Sequence, residues 1–172
     1  MKLSPMLLGA AMFALMTSPA AAQAIGDDAA ACNGNDGPAI RVNITGLKDR
    51  TGRLKLELYP ANDADFLKDD RDLRKEGKFF RRIWATMPAS GAVQLCIRAP
   101  SAGRYALLFT HDRDNRNKFN FMRDGAGFPG QAKLGRARPT LAQAIVTVPA
   151  GVVTTTIRAQ YLRGLGGFAP LG

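Results

Sequence analysis

The sequence from Gly103 to Asn120 is Gly-Arg-Tyr-Ala-Leu-Leu-Phe-Thr-His-Asp-Arg-Asp-Asn-Arg-Asn-Lys-Phe-Asn. Its first part is largely apolar at both odd and even positions, which is typical of a central β-strand that is covered on both faces. The strand leads into the only histidine, His111, and then into a loop that is rich in acids and amides. We therefore expect a buried strand over 103–111, followed by a loop in which functional groups are concentrated.

Shorter runs of alternating apolar and polar residues lie on either side of this strand, between Ala39 and Tyr161. Such alternation predicts strands with one buried face. We predict an all-β fold, an antiparallel β-sandwich of about seven strands, with one short helix or helical turn near 63–68. The strands near 40–44 and 54–58 are expected to form a hairpin with a basic, solvated outer face. Residues 68–78 are expected to form a charged loop, and 143–148 and 152–161 a closing hairpin.

The inward positions of these strands define the predicted core of the sandwich, because alternate side chains of a strand share one face. It consists of Ile40, Val42, Ile44, Leu54, Leu56, Leu58, Val93, Leu95, Ile97, Tyr105, Leu107, Phe109, Val153 and Ile157.

The N-terminus has the pattern of an export signal: Lys2, an apolar run from Met6 to Met16, and small residues up to Ala22. We predict a signal peptide over 1–22, with cleavage after Ala22 as the first choice and after Ala24 as the second. The apolar run is shorter than the ~20 residues that cross a bilayer. After cleavage we expect no transmembrane segment and a periplasmic or secreted protein; an uncut membrane anchor is the alternative. The mature chain would comprise an arm (23–38), the sandwich (39–163) and a flexible tail (164–172).

Two cysteines, Cys32 and Cys96, remain after such cleavage. In an oxidising compartment an even pair is expected to form a disulfide. Alternation places Cys96 on the face opposite to Val93, Leu95 and Ile97. We therefore expect the disulfide to hold the N-terminal arm against the outside of the sheet, and not to join two sheets through the core.

The loop after the central strand supplies candidate ligand-binding or ion-binding residues: His111, Asp112, Asp114, Asn117 and Asn120. Asp112, Asp114 and Asn120 match the first, third and ninth positions of a calcium loop. However, Arg116 occupies the fifth position and no glutamate closes the loop at the twelfth. We expect weak calcium binding at most, or a loop of Asx turns that binds no ion, and the sequence indicates no other cofactor.

No catalytic residue is predicted. A single histidine without free cysteine partners does not build a zinc site. Neither Ser90 nor Ser101 lies in a Gly-x-Ser-x-Gly context, and nucleophilic catalysis needs a nucleophile beside a base. A hydrolase is therefore the least favoured of the alternatives.

The chain has 24 Lys and Arg residues against 14 Asp and Glu residues, and a net charge of +10. A basic surface attracts polyanions. In the cell envelope these are lipid headgroups, lipopolysaccharide or acidic polysaccharide, and we expect no nucleic-acid partner. A solvated basic face without a partner is the plain alternative. The cations at outward strand positions are the candidate polyanion contacts: Arg41, Arg53, Lys55, Arg98 and Arg158.

From these observations we expect an exported, non-enzymatic binding or accessory protein of the cell envelope that uses its basic face and the 111–128 loop. A calcium-stabilised accessory domain is the alternative. The sequence indicates no particular oligomeric state.

Three stretches also resemble a known bacterial family. They are Gly46-Leu47 with Gly52–Tyr59, Pro100–Asp112, and Ala144–Val148 with a final strand. They are similar to the exported domains of domain-of-unknown-function family 2141, and the resemblance extends over about residues 40–161. It implies a small β-sandwich of prealbumin or immunoglobulin-like type and brings no established activity. The later loop of that family is usually longer and richer in Gly-Asn pairs than it is in this chain.

Overall fold

The structure is a computed structural model that describes residues 22–130 and 132–172. The predicted signal peptide lies outside the described residues, apart from Ala22. No helix within the described ranges has the length and apolar composition that a membrane crossing requires. The strands are β1 (Ala39–Thr45), β2 (Arg53–Pro60), β3 (Arg81–Thr86), β4 (Val93–Arg98), β5 (Gly103–Asp112), β6 (Gly125–Gly127), β7 (Ile145–Val148), β8 (Val152–Arg158), β9 (Gln160–Leu162) and β10 (Phe168–Pro170). The helices are α1 (Ala29–Asn33), α2 (Asp70–Lys75) and α3 (Leu141–Ala144), with a 3₁₀ turn at Gly164–Gly166.

The strands form two sheets, as expected for a β-sandwich. The smaller sheet has the order β4-β1-β8, in which β1 is antiparallel to β4 and parallel to β8. The larger sheet has the order β10-β9-β6-β5-β2-β3, and β7 pairs with the beginning of β5. The long β5 is therefore the central strand of the larger sheet, because β2 lies along one edge and β6 and β7 along the other.

The core between the sheets is built from the inward positions that alternation predicts. Thirteen of the fourteen predicted core residues are buried in one cluster, and Val153 is partly buried against it. Leu56, Leu107 and Phe109 are completely buried. The period-two pattern thus predicts the buried face correctly.

A third layer covers part of the outer face of the larger sheet. Outer-face residues of β2 and β5, including Tyr59 and Ala106, pack against Leu73 of α2, Phe128 and Ala144. Both faces of β5 are therefore covered, as its apolar sequence predicts. The covering segments leave a gap over the rest of this face, and that gap is the pocket described below.

Both predicted hairpins are wrong, because each would join strands of different sheets. β1 pairs with β4 and β8, whereas β2 pairs with β3 and β5. Likewise β7 pairs with β5, whereas β8 pairs with β1. The connections 46–52 and 149–151 therefore cross from one sheet to the other.

The expected helical turn near 63–68 is present as a hydrogen-bonded turn over 63–67, and the Asn62 side chain accepts from the Asp65 N–H at 3.0 Å. The charged loop expected over 68–78 is wrong in part, because it contains α2. Asp69 caps that helix by accepting from the Arg71 N–H at 2.9 Å, and Leu73 is completely buried. The expected flexible tail also differs, since Phe168–Pro170 forms β10 and pairs with β9.

The disulfide Cys32–Cys96 is present, with a Cα–Cα distance of 5.9 Å. It lies on the outer face of the smaller sheet, where α1 packs against β4 and β1. The sulfur atoms belong to a small buried cluster with Ala24, Ala31 and Ala39. The arm is therefore held against the outside of the sheet, as the alternation around Cys96 predicts.

Candidate ligand pocket

His111 is completely buried at the end of β5 and takes part in a chain of hydrogen bonds. Its Nε2–H donates to the carbonyl oxygen of Thr51 at 2.7 Å, because that carbonyl can only accept. Its Nδ1 accepts from the Tyr161 hydroxyl at 2.7 Å. Burial raises the pKa of Tyr161 to about 12, so the hydroxyl keeps its proton, and its oxygen accepts from the Lys48 N–H at 3.0 Å. Both ring nitrogens of His111 are thus used inside the fold.

This burial makes the stability of the protein depend on pH. Burial lowers the pKa of His111 below 6.5, so the folded state favours the neutral ring. The contribution of His111 is complete above the unfolded pKa and decreases as the pH falls through it toward the folded pKa. We expect the free energy of unfolding to fall between pH 7.5 and 5, by at most ~1.4 kcal/mol per pH unit. Chemical denaturation at a series of pH values measures this slope.

The control for this prediction is His111→Asn, which should remove the slope because asparagine does not titrate. Asp28 and Asp49, which form ion pairs with arginines, should not interfere in this range, because their pKa values lie below it. Burial opposes ionisation of Asp28 and Asp49, but bonds from Arg81 and Arg113 outweigh it and hold the pKa of both below the usual range. An unchanged slope in the variant would contradict the assignment.

The loop after β5 brings three carboxylates together. One oxygen from each of Asp112, Asp114 and Asp124 lies within 4.8 Å of the others, and Asp112 and Asp124 are buried. Asp124 is not among the residues proposed from the sequence. Asn120, which is, acts as a donor here: its N–H donates to Asp124 at 2.8 Å and its amide to Asp114 at 3.3 Å.

Asp112 already has cationic and backbone partners. The Arg53 guanidinium donates to its Oδ2 at 2.9 Å, and the N–H groups of Arg116 and Asn117 donate to its carboxylate at 3.2 Å each. Asn117 has a φ of +61°, and the residue is exposed. The Arg53 guanidinium neutralises the charge of this carboxylate, and the two N–H groups use acceptor sites that a bound cation would otherwise take.

We expect calcium affinity no better than the millimolar range of weak extracellular sites, because the Arg53 guanidinium already binds the carboxylate of Asp112. Isothermal titration calorimetry measures the calcium affinity, and the Asp114→Asn variant tests whether any heat of binding comes from this loop. Micromolar binding that is lost in Asp114→Asn would contradict the prediction and favour a calcium-stabilised accessory domain.

The five cations proposed as polyanion contacts do not form one patch. Arg41, Arg98 and Arg158 lie on the outer face of the smaller sheet, and Arg53 and Lys55 on the outer face of the larger one. The two outer faces of a sandwich point away from each other. Lys55 is also buried, so the expectation of a solvated outer face on β2 is wrong at that position.

Each of these cations has a partner within the fold. Arg41 and Arg158 donate to the carbonyl oxygens of Cys32 and Leu171, both at 2.6 Å. Arg98 forms an ion pair with Asp36 at 2.8 Å, Arg53 with Asp112 at 2.9 Å, and Lys55 with Glu57 at 3.2 Å.

A pocket of about 480 Å³ lies on the outer face of the larger sheet, where the covering layer is incomplete. Its volume is within the roughly 300–1,000 Å³ that is usual for small-molecule sites. Its floor consists of outer-face residues of β2, β5 and β6, namely Lys55, Glu57, Leu108, Thr110 and Ala126. Its walls are mostly apolar and include Leu67, Phe119, Phe121, Leu134, Pro139, Leu162 and Phe168.

The floor carries an ion pair in these apolar surroundings. Lys55 and Glu57 are 7% and 5% exposed, and Lys55 Nζ lies 3.2 Å from Glu57 Oε2. Glu57 also binds Arg82 at 2.7 Å, and Lys55 Nζ lies 5.6 Å from the centre of the Trp84 ring. A few fixed polar groups within an apolar wall are what orients a ligand in such sites.

This pocket is not predicted from the sequence. Alternation places Lys55 on an outer face, and the apolar outer face of β5 predicts a cover over that strand, but the pattern does not show that the cover leaves a pocket over Lys55. Two signals were available: Leu108 and Ala126 are apolar at outer-face positions, and Phe119 and Phe121 are aromatic residues in a polar loop. Neither signal indicates by itself that these residues meet in space.

Comparison with known proteins adds the family. No curated protein and no solved structure gives a significant match to this chain. The model of one family matches residues 42–156, which extend from β1 into β8 and include all five floor residues of the pocket. The chain therefore belongs to the family DUF2141, described as an uncharacterized protein conserved in bacteria.

Proposed function

We propose that this chain is an exported, non-enzymatic binding protein of the cell envelope that holds an apolar ligand in the pocket of the larger sheet. The observation that carries the proposal is the 480 Å³ pocket, with apolar walls over the buried Lys55–Glu57 pair. Concave apolar walls with few polar groups are the usual composition of small-molecule sites. The ion pair would orient the polar end of the ligand.

Export to the periplasm or the outside of the cell is supported by two observations. The disulfide Cys32–Cys96 is of the kind that persists in oxidising compartments. The pattern of residues 1–22 is that of a signal peptide.

A non-enzymatic role is supported by the hydrogen bonds of the residues that catalysis would need. A catalytic base must be within reach of a nucleophile or a substrate. His111 uses both ring nitrogens within the core. The Ser101 hydroxyl lies 3.2 Å from the Tyr105 hydroxyl, and both cysteines are in the disulfide. A hydrolase therefore has the least support among the alternatives.

The proposal is tested with the fluorescent apolar probe N-phenyl-1-naphthylamine and the processed protein. Ala126→Leu places a larger side chain on the pocket floor, and we expect it to weaken probe binding about tenfold or more. Ala89→Leu makes the same substitution at an exposed position that does not line the pocket, and should leave the affinity unchanged. Equal affinity of wild type and Ala126→Leu would contradict binding in this pocket.

A further inference from the structure

The mouth of the pocket is surrounded by three segments, at 116–123, 133–139 and 163–168. Phe119 of the first contacts Phe168 of the third, with ring centroids 5.9 Å apart. Arg136 of the second donates from Nε to the carbonyl oxygen of Leu165, in the third, at 2.7 Å. The three segments therefore form one continuous rim, which we call the mouth surface.

The mouth surface carries large apolar side chains that point to solvent. Phe121 is 60% exposed, Met122 67%, Leu165 88% and Phe119 43%. Within the described ranges these are the large hydrophobic residues that are exposed, and all four belong to the mouth surface. Apolar side chains collected in one place and rimmed by polar residues mark an interaction site.

The same surface carries cations that form no direct ion pair within the described residues. Neither 116–123 nor 133–139 nor 163–168 contains an acid. Unlike Arg53, Lys55 and Arg98 of the two sheets, the exposed cations here form no ion pair with any carboxylate of the described residues. They are Arg116, Lys118, Arg123, Lys133, Arg136, Arg138 and Arg163.

Together, these apolar and cationic side chains fit a lipid bilayer better than a soluble polyanion. An anionic lipid bilayer attracts clustered Lys and Arg residues, and its interfacial region takes up exposed Phe, Leu and Met side chains. A soluble acidic polysaccharide would use the cations and leave the apolar side chains in water. In addition, the mouth surface opens into the apolar pocket, so a lipid chain could pass from a bilayer into the pocket without crossing water.

We propose that the mouth surface docks on an anionic phospholipid bilayer and that the pocket takes up an acyl chain from it. This inference rests on the proposed function, because it names the source and chemical class of the ligand. The cations bind headgroups, and Phe121, Met122 and Leu165 enter the interface. The pocket mouth then faces the membrane.

Sedimentation with vesicles tests the docking. The vesicles consist either of phosphatidylcholine alone or of equal parts phosphatidylcholine and phosphatidylglycerol, in ~0.1 M salt. We expect binding to the anionic vesicles only. Lys118→Glu/Arg123→Glu and Phe121→Ser/Met122→Ser should each weaken it about tenfold or more. Lys75→Glu/Arg104→Glu makes the same charge change at exposed cations outside the mouth surface, and should change binding less than about threefold.

Three results would overturn the inference: equal binding to both vesicles, no binding to either, or anionic binding that neither mouth variant weakens. Binding to a heparin resin that Phe121→Ser/Met122→Ser leaves unchanged, without vesicle binding, would assign the surface to polysaccharide.

The naphthylamine titration distinguishes a failure of membrane docking from a failure of the proposed ligand binding. Lys118→Glu/Arg123→Glu should still bind the probe, because these side chains do not line the pocket. Probe binding without vesicle binding would support the ligand pocket and contradict only the membrane docking.

Discussion

We expect Cys32→Ala/Cys96→Ala to lower the free energy of unfolding by about 4 kcal/mol. The disulfide joins positions that are 64 residues apart, so its loss restores a large conformational freedom to the unfolded chain. The two sulfur atoms also fill part of the small buried cluster between α1 and the smaller sheet. Urea-induced unfolding at equilibrium measures the difference.

Reduced wild-type protein is the matched control, because it opens the loop and keeps both sulfur atoms. It should lose most of the same stability, and any additional loss in the alanine variant measures packing. Titration of the denatured, unreduced protein should find no free thiol. Two titratable thiols would contradict the disulfide, and a loss below about 1 kcal/mol would contradict its weight in stability.

The arm, the core and the central strand could be predicted because each depends on which face of a strand a residue occupies. A period of two places Leu54, Leu56 and Leu58 together whatever the strand pairs with. The same period places Cys96 opposite Leu95, and this was sufficient to locate the disulfide on the outside. The apolar residues on both faces of β5 likewise required a cover on each side.

Strand partners were not predictable in the same way, because alternation carries no information about them. β1 and β2 have the pattern of a hairpin, and the seven residues between them suit a turn. The actual pairs, β1 with β4 and β2 with β5, join positions far apart in sequence. Only the packing of the two sheets selects them.

The pocket was not predictable because its parts come from separate stretches without a common period. Its floor lies on three strands, and its walls come from segments as far apart as Leu67 and Phe168. Lys55 and Glu57 illustrate the difficulty: two charged residues on one face of a strand usually indicate a solvated face. Here the covering layer buries them, and Glu57 supplies the charge that makes the burial of Lys55 tolerable.

We expect Glu57→Gln to lower the free energy of unfolding by about 3 kcal/mol. The substitution keeps the shape of the side chain and leaves the buried ammonium of Lys55 without its carboxylate. The loss of the Glu57 carboxylate should destabilise Arg82 less than Lys55, because the Arg82 side chain is 23% exposed and also lies 3.4 Å from Asp70. The same urea titration measures the loss.

Lys55→Met/Glu57→Gln is the variant that decides the cause of this loss. It removes the buried cation together with its partner and keeps an amide that can accept from Arg82, so most of the stability should return, to within about 1 kcal/mol of wild type. A single variant within about 1 kcal/mol of wild type would mean that water reaches the pair and that the floor is not a low-dielectric site. If the double variant is as stable as wild type, the ion pair makes no net contribution to folding. Its place in the pocket is then better explained by the orientation of a ligand than by stability.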